Sequence, residues 1–233
     1  MKIDWGQVVL TIGIATATAL AAVGATVGLR PAGADVRRYL LAHPEVIPEA
    51  MAALEKRESG KAVGANRAAI ETPVGDAWIG NPKGDVTVVE FFDYNCTYCR
   101  ASLPILAQLV KSDPNVRVVF RELPVLSQAS FDAAKLSYAA ALQGRFRAFH
   151  DPLYRAGQVT PATLNATAAA AGVDRAQAAK VDRAAEAEIK RNIGLARQLR
   201  MSGTPSWVIG DRVIVGMVQL SALQDAVKDA RAR

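Results

Sequence analysis

The chain has 233 residues, 51% of them hydrophobic and 21% charged, with 17 Gly and 11 Pro. This composition excludes a mostly disordered or a collagen-like chain and leaves room for one domain with an appendage. The formal charge is +6; with no basic run interleaved with aromatics, it reads as a solvated surface rather than a nucleic-acid footprint.

From Trp5 to Leu29 the sequence carries no charge. As a helix these residues would span about 37 Å, enough to cross a bilayer. Residues 1–30 are therefore expected to be a transmembrane anchor or a signal peptide, cleaved in the second case after Ala21 or Ala25. Arg30 to Ala34 reads as a breaker-rich joint, and Asp35 as a helix N-cap. Val36, Leu40, Ile47, Met51 and Leu54 then recur at helical spacing. Pro44 and Pro48 divide this stretch, which predicts two short helices meeting near His43. Residues 31–62 thus form an amphipathic segment, able to pack on its own domain or, through residues 35–58, on copies of itself.

Residues 59–85 are punctuated by Gly60, Gly64, Pro73, Gly75, Gly80, Pro82 and Gly84, which predicts a linker. Val86–Phe92 reads as a strand, Leu103–Val110 as part of a helix, and Asn115–Glu122 as a second strand, a parallel βαβ unit. Helices are expected over 130–142, 146–154, 161–171 and 175–201, the last with Val181, Ala185, Ile189 and Ile193 on one face. Gly210-Asp211 between Ser206–Ile209 and Arg212–Val215 signals a hairpin, and Leu220–Val227 a closing helix.

The two cysteines are Cys96 and Cys99, so a structural disulfide framework is excluded. Their Cys96-Thr97-Tyr98-Cys99 motif follows a strand and opens a helix. At that junction the first thiol meets unpaired N–H groups and the helix dipole, which favour the thiolate, the reactive form. The second lies one turn further in, within reach to resolve a mixed disulfide. Half of an intermolecular metal site and two inert core thiols are the competing readings. Glu90 interrupts the apolar run Val88-Val89-Glu90-Phe91-Phe92. Either it is buried near Cys99 as a proton acceptor with a raised pKa, or strand alternation turns it to solvent. Pro205 in Gly203-Thr204-Pro205-Ser206 marks a special turn, a cis bond or an ordinary strand start.

Taken together, Glu90 to Cys99, Gly80-Asn81-Pro82 and Gly203-Thr204-Pro205 resemble the DsbA family of thiol-disulfide oxidoreductases. The resemblance covers about residues 70–233 and implies a thioredoxin-like α/β fold over 63–233, with a helical insertion at about 127–201. It implies Cys96 as exposed nucleophile, Cys99 as buried resolving cysteine, Glu90 as buried acid and Pro205 as the cis-proline facing the disulfide. Thr204, Thr97 and Tyr98 would contact substrate. Val36 to Leu54, around His43-Pro44-Glu45-Val46-Ile47, resembles the N-terminal extension of the ScsC-like branch, whose members can oligomerise through it.

The expected activity is protein disulfide exchange, as oxidase or isomerase, on the periplasmic side of a membrane. A DsbB-like or a DsbD/ScsB-like membrane partner would set the redox state. No metal or other cofactor is implied, since the two cysteines carry the electrons. Thr97-Tyr98 departs from the Pro-His of strongly oxidising members and offers only hydroxyls to the thiolate. The alternative from another class is a non-enzymatic module that captures a soft metal such as Cu(I), or unfolded peptide, with the same thiols and groove.

Overall fold

The computed structural model describes residues 32–232. The expected anchor or signal at 1–30 lies outside them, and no helix among the described residues is long and apolar enough to cross a membrane. The chain divides into two units, residues 1–54 and 55–233.

In the first unit, α1 spans Ala32–Ala42 and α2 begins at Val46. Asp35 lies in the first turn of α1, not at its N-cap, and bonds Arg38 at 2.7 Å. The division between the helices falls at His43–Glu45. Pro48 does not break α2, because it occupies the first turn, where a helix needs no N–H donor. Val36, Tyr39, Leu41, Ile47, Met51 and Leu54 are all exposed.

Helix α2 continues to Glu71, 26 residues in all, so the expected linker is helical over its first half. Burial explains this outcome. Val63 and Ile70 are fully buried on one face of the helix, and that gain outweighs the modest penalty of Gly60 and Gly64. At Gly60 the missing side chain is useful, since a Cβ there would come within 3.3 Å of Asp211 Cβ in the hairpin turn. Arg121 holds the helix C-terminus: its Nε donates to Ile70 O at 3.0 Å and its Nη2 to Ala69 O and Thr72 O. The same guanidinium pairs with Glu188 at 2.5 Å. A cation at the last turn satisfies carbonyls that the helix cannot.

The second unit is built on a mixed sheet in the order β1-β3-β2-β4-β5. The strands are β1 (Trp78–Gly80), β2 (Val86–Phe92), β3 (Val116–Glu122), β4 (Ser206–Ile209) and β5 (Arg212–Val215). Central β2 runs parallel to β3 and antiparallel to β4. β1 escaped the sequence reading because it has three residues and exists through its antiparallel pairing with β3, Trp78 opposite Val119.

The helices of this unit are α3 (Thr97–Ser112), α4 (Gln128–Leu142), α5 (Phe146–Ala156), α6 (Pro161–Ala170), α7 (Arg175–Lys180), α8 (Asp182–Gln198) and α9 (Leu220–Arg231). The helix expected over 175–201 is thus two, parted at Val181 (φ −102°, ψ 6°), and the second stops before Arg200, whose φ is 56°. One sheet face carries Val88, Phe92, Val118 and Phe120 against α3, α4, α5 and α9. The other carries Val89, Phe91, Val119 and Val208 against Val63 and Ile70 of α2 and Leu195 to Leu199. With both faces covered, every residue of β2 is buried, so strand alternation gives Glu90 no route to solvent.

Candidate active site

Cys96 is the N-cap of α3, with φ −79° and ψ 115°, and its Sγ accepts the Cys99 N–H at 3.3 Å. Facing it, the Thr204–Pro205 peptide bond is cis, and the Cys96 thiol donates to Thr204 O at 3.2 Å. The Cys99 thiol hydrogen bond, then those from the Cys99 and Tyr98 N–H groups, help outweigh desolvation and hold the Cys96 pKa down to about 6. Cys99 is the opposite case. Burial first, then the Cys96 hydrogen bond and the nearby Glu90 carboxyl, push its thiol far up. Both sulfurs are free thiols in this structure.

Glu90 lies on the face of β2 that meets α3, 1% exposed. Ser102, one turn beyond Cys99, donates its hydroxyl to Glu90 Oε1 at 2.5 Å. Desolvation, helped by the Cys96 charge and opposed by the Ser102 bond, raises the Glu90 pKa to about 8. An acid poised near neutrality beside a thiol with a high pKa can take that thiol's proton and return it. Cys96, expected to be exposed, is only 5% exposed, because it caps the helix and faces the Thr204–Pro205 turn, whereas Thr97 and Tyr98 are exposed.

Behind the motif stands a layer of buried polar groups. Tyr94 Oη lies 2.7 Å from Ser137 Oγ and 3.0 Å from His150 Nδ1, while Tyr154 Oη donates to Asp93 O at 2.9 Å. Burial keeps His150 well below its ordinary pKa and the Glu122 carboxyl well above its own. His150 is thus a packed residue, stacked on Phe146 at 4.6 Å between ring centroids. Trp207 is buried too, and its Nε1 donates to Gly216 O at 2.9 Å under the hairpin.

The structure therefore brings together Cys96, Cys99, Glu90, Thr204 and Pro205, with Thr97 and Tyr98 on the outer surface. Sequence reasoning assigned nothing to Ser102, Asp93 or Asn95. Ser102 had a signal in its spacing, three residues after Cys99 on the same helix face. Asp93 and Asn95 had none for their tie to the loop after β3 and to the α5–α6 connection, whose bonded groups lie 32 or more residues away.

A thioredoxin family model, described as "Thioredoxin", matches residues 72–229, and a second, "Copper resistance protein ScsC N-terminal domain", matches residues 33–59. A thioredoxin-like oxidoreductase from Silicibacter pomeroyi is 42% identical with a TM-score of 0.68, covering 72% of this chain and 99% of that one. Proteus mirabilis ScsC in a transitional conformation is 26% identical with a TM-score of 0.67, covering 85% of this chain and 93% of the other. Among curated proteins, Na(+)/H(+) antiporter NhaA 1 of Salinispora arenicola is 32% identical over 158 residues, 66% of this chain. The match spans 24% of that antiporter's length. The fold, the motif geometry and these likenesses agree: the chain belongs to the thioredoxin family, as a DsbA-like member with an N-terminal segment of the ScsC type.

Proposed function

We propose that the protein is a periplasmic thiol-disulfide oxidoreductase that exchanges disulfides with protein substrates through Cys96 and Cys99. The observation that carries the reading is the unequal setting of the two sulfurs: Cys96 caps a helix N-terminus, accepts the Cys99 N–H and faces Thr204, while Cys99 is buried near the Glu90 carboxyl that Ser102 bonds. In the reducing direction the Cys96 thiolate attacks a substrate disulfide, forming a mixed disulfide and releasing one substrate thiolate. With the Cys96 charge gone in the mixed disulfide, one cause of the raised Glu90 pKa is removed, and the ionised Glu90 carboxylate accepts the Cys99 proton. The Cys99 thiolate attacks Cys96 Sγ, the second substrate thiolate leaves, and the Cys96–Cys99 disulfide forms with two electrons passed to substrate. Oxidation of a substrate dithiol is the reverse. Thr204 and Pro205 stand where the substrate backbone would lie beside the sulfur.

Between the two directions, Thr97-Tyr98 favours isomerase or reductase work. Exposed hydroxyls stabilise the thiolate less than a cation would, so the disulfide is less oxidising than the limit of about −120 mV set by the strongest members. A reducing membrane partner then keeps Cys96 available. Residues 5–29 hold the protein at the membrane or direct its export, and the exposed apolar residues of 35–58 join copies of the chain.

Insulin reduction by wild type and Cys96→Ala tests the activity. Loss in the variant is expected; equal turnover by both refutes it. Acid quench and alkylation in the native host test the direction, with both thiols found reduced; a fully oxidised pair would assign the oxidase role instead. Light scattering with and without residues 35–58 tests self-association, and a monomer in both samples rejects it.

A further inference from the structure

Asp93 is the hub of the reactive turn, though it contributes no sulfur chemistry. Its carbonyl accepts Cys96 N–H at 3.0 Å and the Tyr154 hydroxyl at 2.9 Å. Its carboxyl, 1% exposed, accepts three backbone N–H groups: Asn95 at 2.8 Å on Oδ1, and Val125 at 2.9 Å with Leu126 at 3.0 Å on Oδ2. The first closes the turn that leads into Cys96. The other two belong to the loop between β3 and α4.

That loop is tied to the turn twice more, by Leu123 N–H on Phe92 O at 2.7 Å and by Asn95 Nδ2 on Ser127 Oγ at 2.9 Å. Yet Val125 and Leu126 point outward, 51% and 55% exposed. In residues 55–232 the other large apolar side chains on the surface are Tyr98, Leu142 and Val215. Tyr98 sits between the cysteines, and Val215 pairs with Ser206 next to Pro205. Three of these five side chains thus belong to the reactive turn and the loop clasped to it; Val215, through Ser206, shares the sheet face of Phe91, and Leu142 stands at the far end of α4. A loop whose backbone is clasped by a buried carboxylate while its apolar side chains face water is built to present them.

We propose that the Asp93 carboxyl is a positioning residue: it clasps the Val125–Leu126 loop against the Cys96 turn, so that both side chains stand as a platform for the polypeptide around the target sulfur. The inference rests on the disulfide-exchange reading above. It predicts discrimination, since a small disulfide reaches Cys96 without touching the platform, whereas a protein substrate lays chain across it.

Asp93→Asn is the informative change. An amide keeps an oxygen for Asn95 N–H but turns its NH2 toward the Val125 and Leu126 N–H groups, donor against donor. Leu126→Ser, at an exposed position, removes the platform and leaves the clasp. The measurement is kcat/KM for insulin divided by kcat/KM for glutathione disulfide, together with the pH midpoint of Cys96 alkylation. Each variant should lower the ratio about tenfold, chiefly through KM for insulin, as expected for losing about 1.4 kcal/mol of apolar contact. A parallel loss on both substrates with a displaced alkylation midpoint would overturn the inference, because Asp93 would then act through the thiolate. An unchanged ratio in Leu126→Ser would overturn it as well, even if Asp93→Asn failed to fold. Wild-type protein inert on both disulfides would instead sink the exchange reading itself.

Discussion

Replacing Glu90 by Gln should make the reduced protein more stable at pH 7 and slower at resolving mixed disulfides. The carboxyl is fully buried, with a pKa raised from 4.5 to about 8. At pH 7 the folded protein therefore holds it protonated, while the unfolded chain releases the proton. The folded state binds more protons, so stability is fully present below pH 4.5 and is lost as pH rises toward 8. Between pH 4.5 and 7 that loss is roughly 3 kcal/mol, at about 1.4 kcal/mol for each pH unit over which the unfolded carboxyl is ionised and the folded one is not. Gln stays uncharged in both states and keeps an oxygen for the Ser102 hydroxyl, so it escapes the loss. Denaturant unfolding of both proteins under reducing conditions should show a gain of about 3 kcal/mol at pH 7 that vanishes near pH 4. The same variant leaves Cys99 without its proton acceptor, so a trapped mixed disulfide at Cys96 should resolve about a hundredfold more slowly. A stability difference that does not change between pH 4 and pH 7 would refute the reasoning, because Glu90 would then not titrate across that window.

Alkylation of Cys96 should accelerate as pH rises through about 6 and level off above it, since the depressed pKa sets the thiolate fraction; a midpoint near 8.5 in rapid-quench labelling would contradict the N-cap geometry. Arg121→Met should destabilise the protein by about 3 kcal/mol in denaturant, because it leaves Arg191 as the one partner of the buried Glu188 among the described residues and frees the carbonyls of Ala69, Ile70 and Thr72; a loss below 1 kcal/mol would mean the guanidinium does not hold the helix. Ile70→Ala should cost about 2–5 kcal/mol in the same measurement, as a fully buried side chain, whereas Lys83→Ala, at an exposed position, should stay within about 0.5 kcal/mol.

Much of the fold follows from local pattern. The apolar run 86–92 had to be a strand, and the β4–β5 hairpin followed from Gly210-Asp211 between two short β-runs. Cys-x-x-Cys at a strand–helix junction already carried the unequal chemistry of its sulfurs, because N–H groups at a helix start are a consequence of helix geometry itself. Local pattern was insufficient where the deciding contact came from afar. Gly60 and Gly64 looked like punctuation until Val63 and Ile70 found the second sheet face and Arg121 closed the helix end. The break at Val181 had no signal in an unbroken periodic stretch.

The site divides in the same way. Residue types and spacing singled out Cys96 and Cys99 from the sequence, and the family resemblance added Pro205. Whether Glu90 faced solvent or sulfur could not be read from its strand, since alternation has meaning only where one face is wet. The covering of both sheet faces, by α3 and α9 on one side and α2 on the other, decided it. Asp93 is the extreme case. In the sequence it is one more polar residue before the cysteines; in the fold its carboxyl holds a loop 32 and 33 residues away. Sequence by itself determined which groups could do the chemistry, because nucleophilicity and helix termini are local properties. The tertiary structure alone decided their protonation and their reach, because desolvation and long-range hydrogen bonds come into being only when distant segments meet.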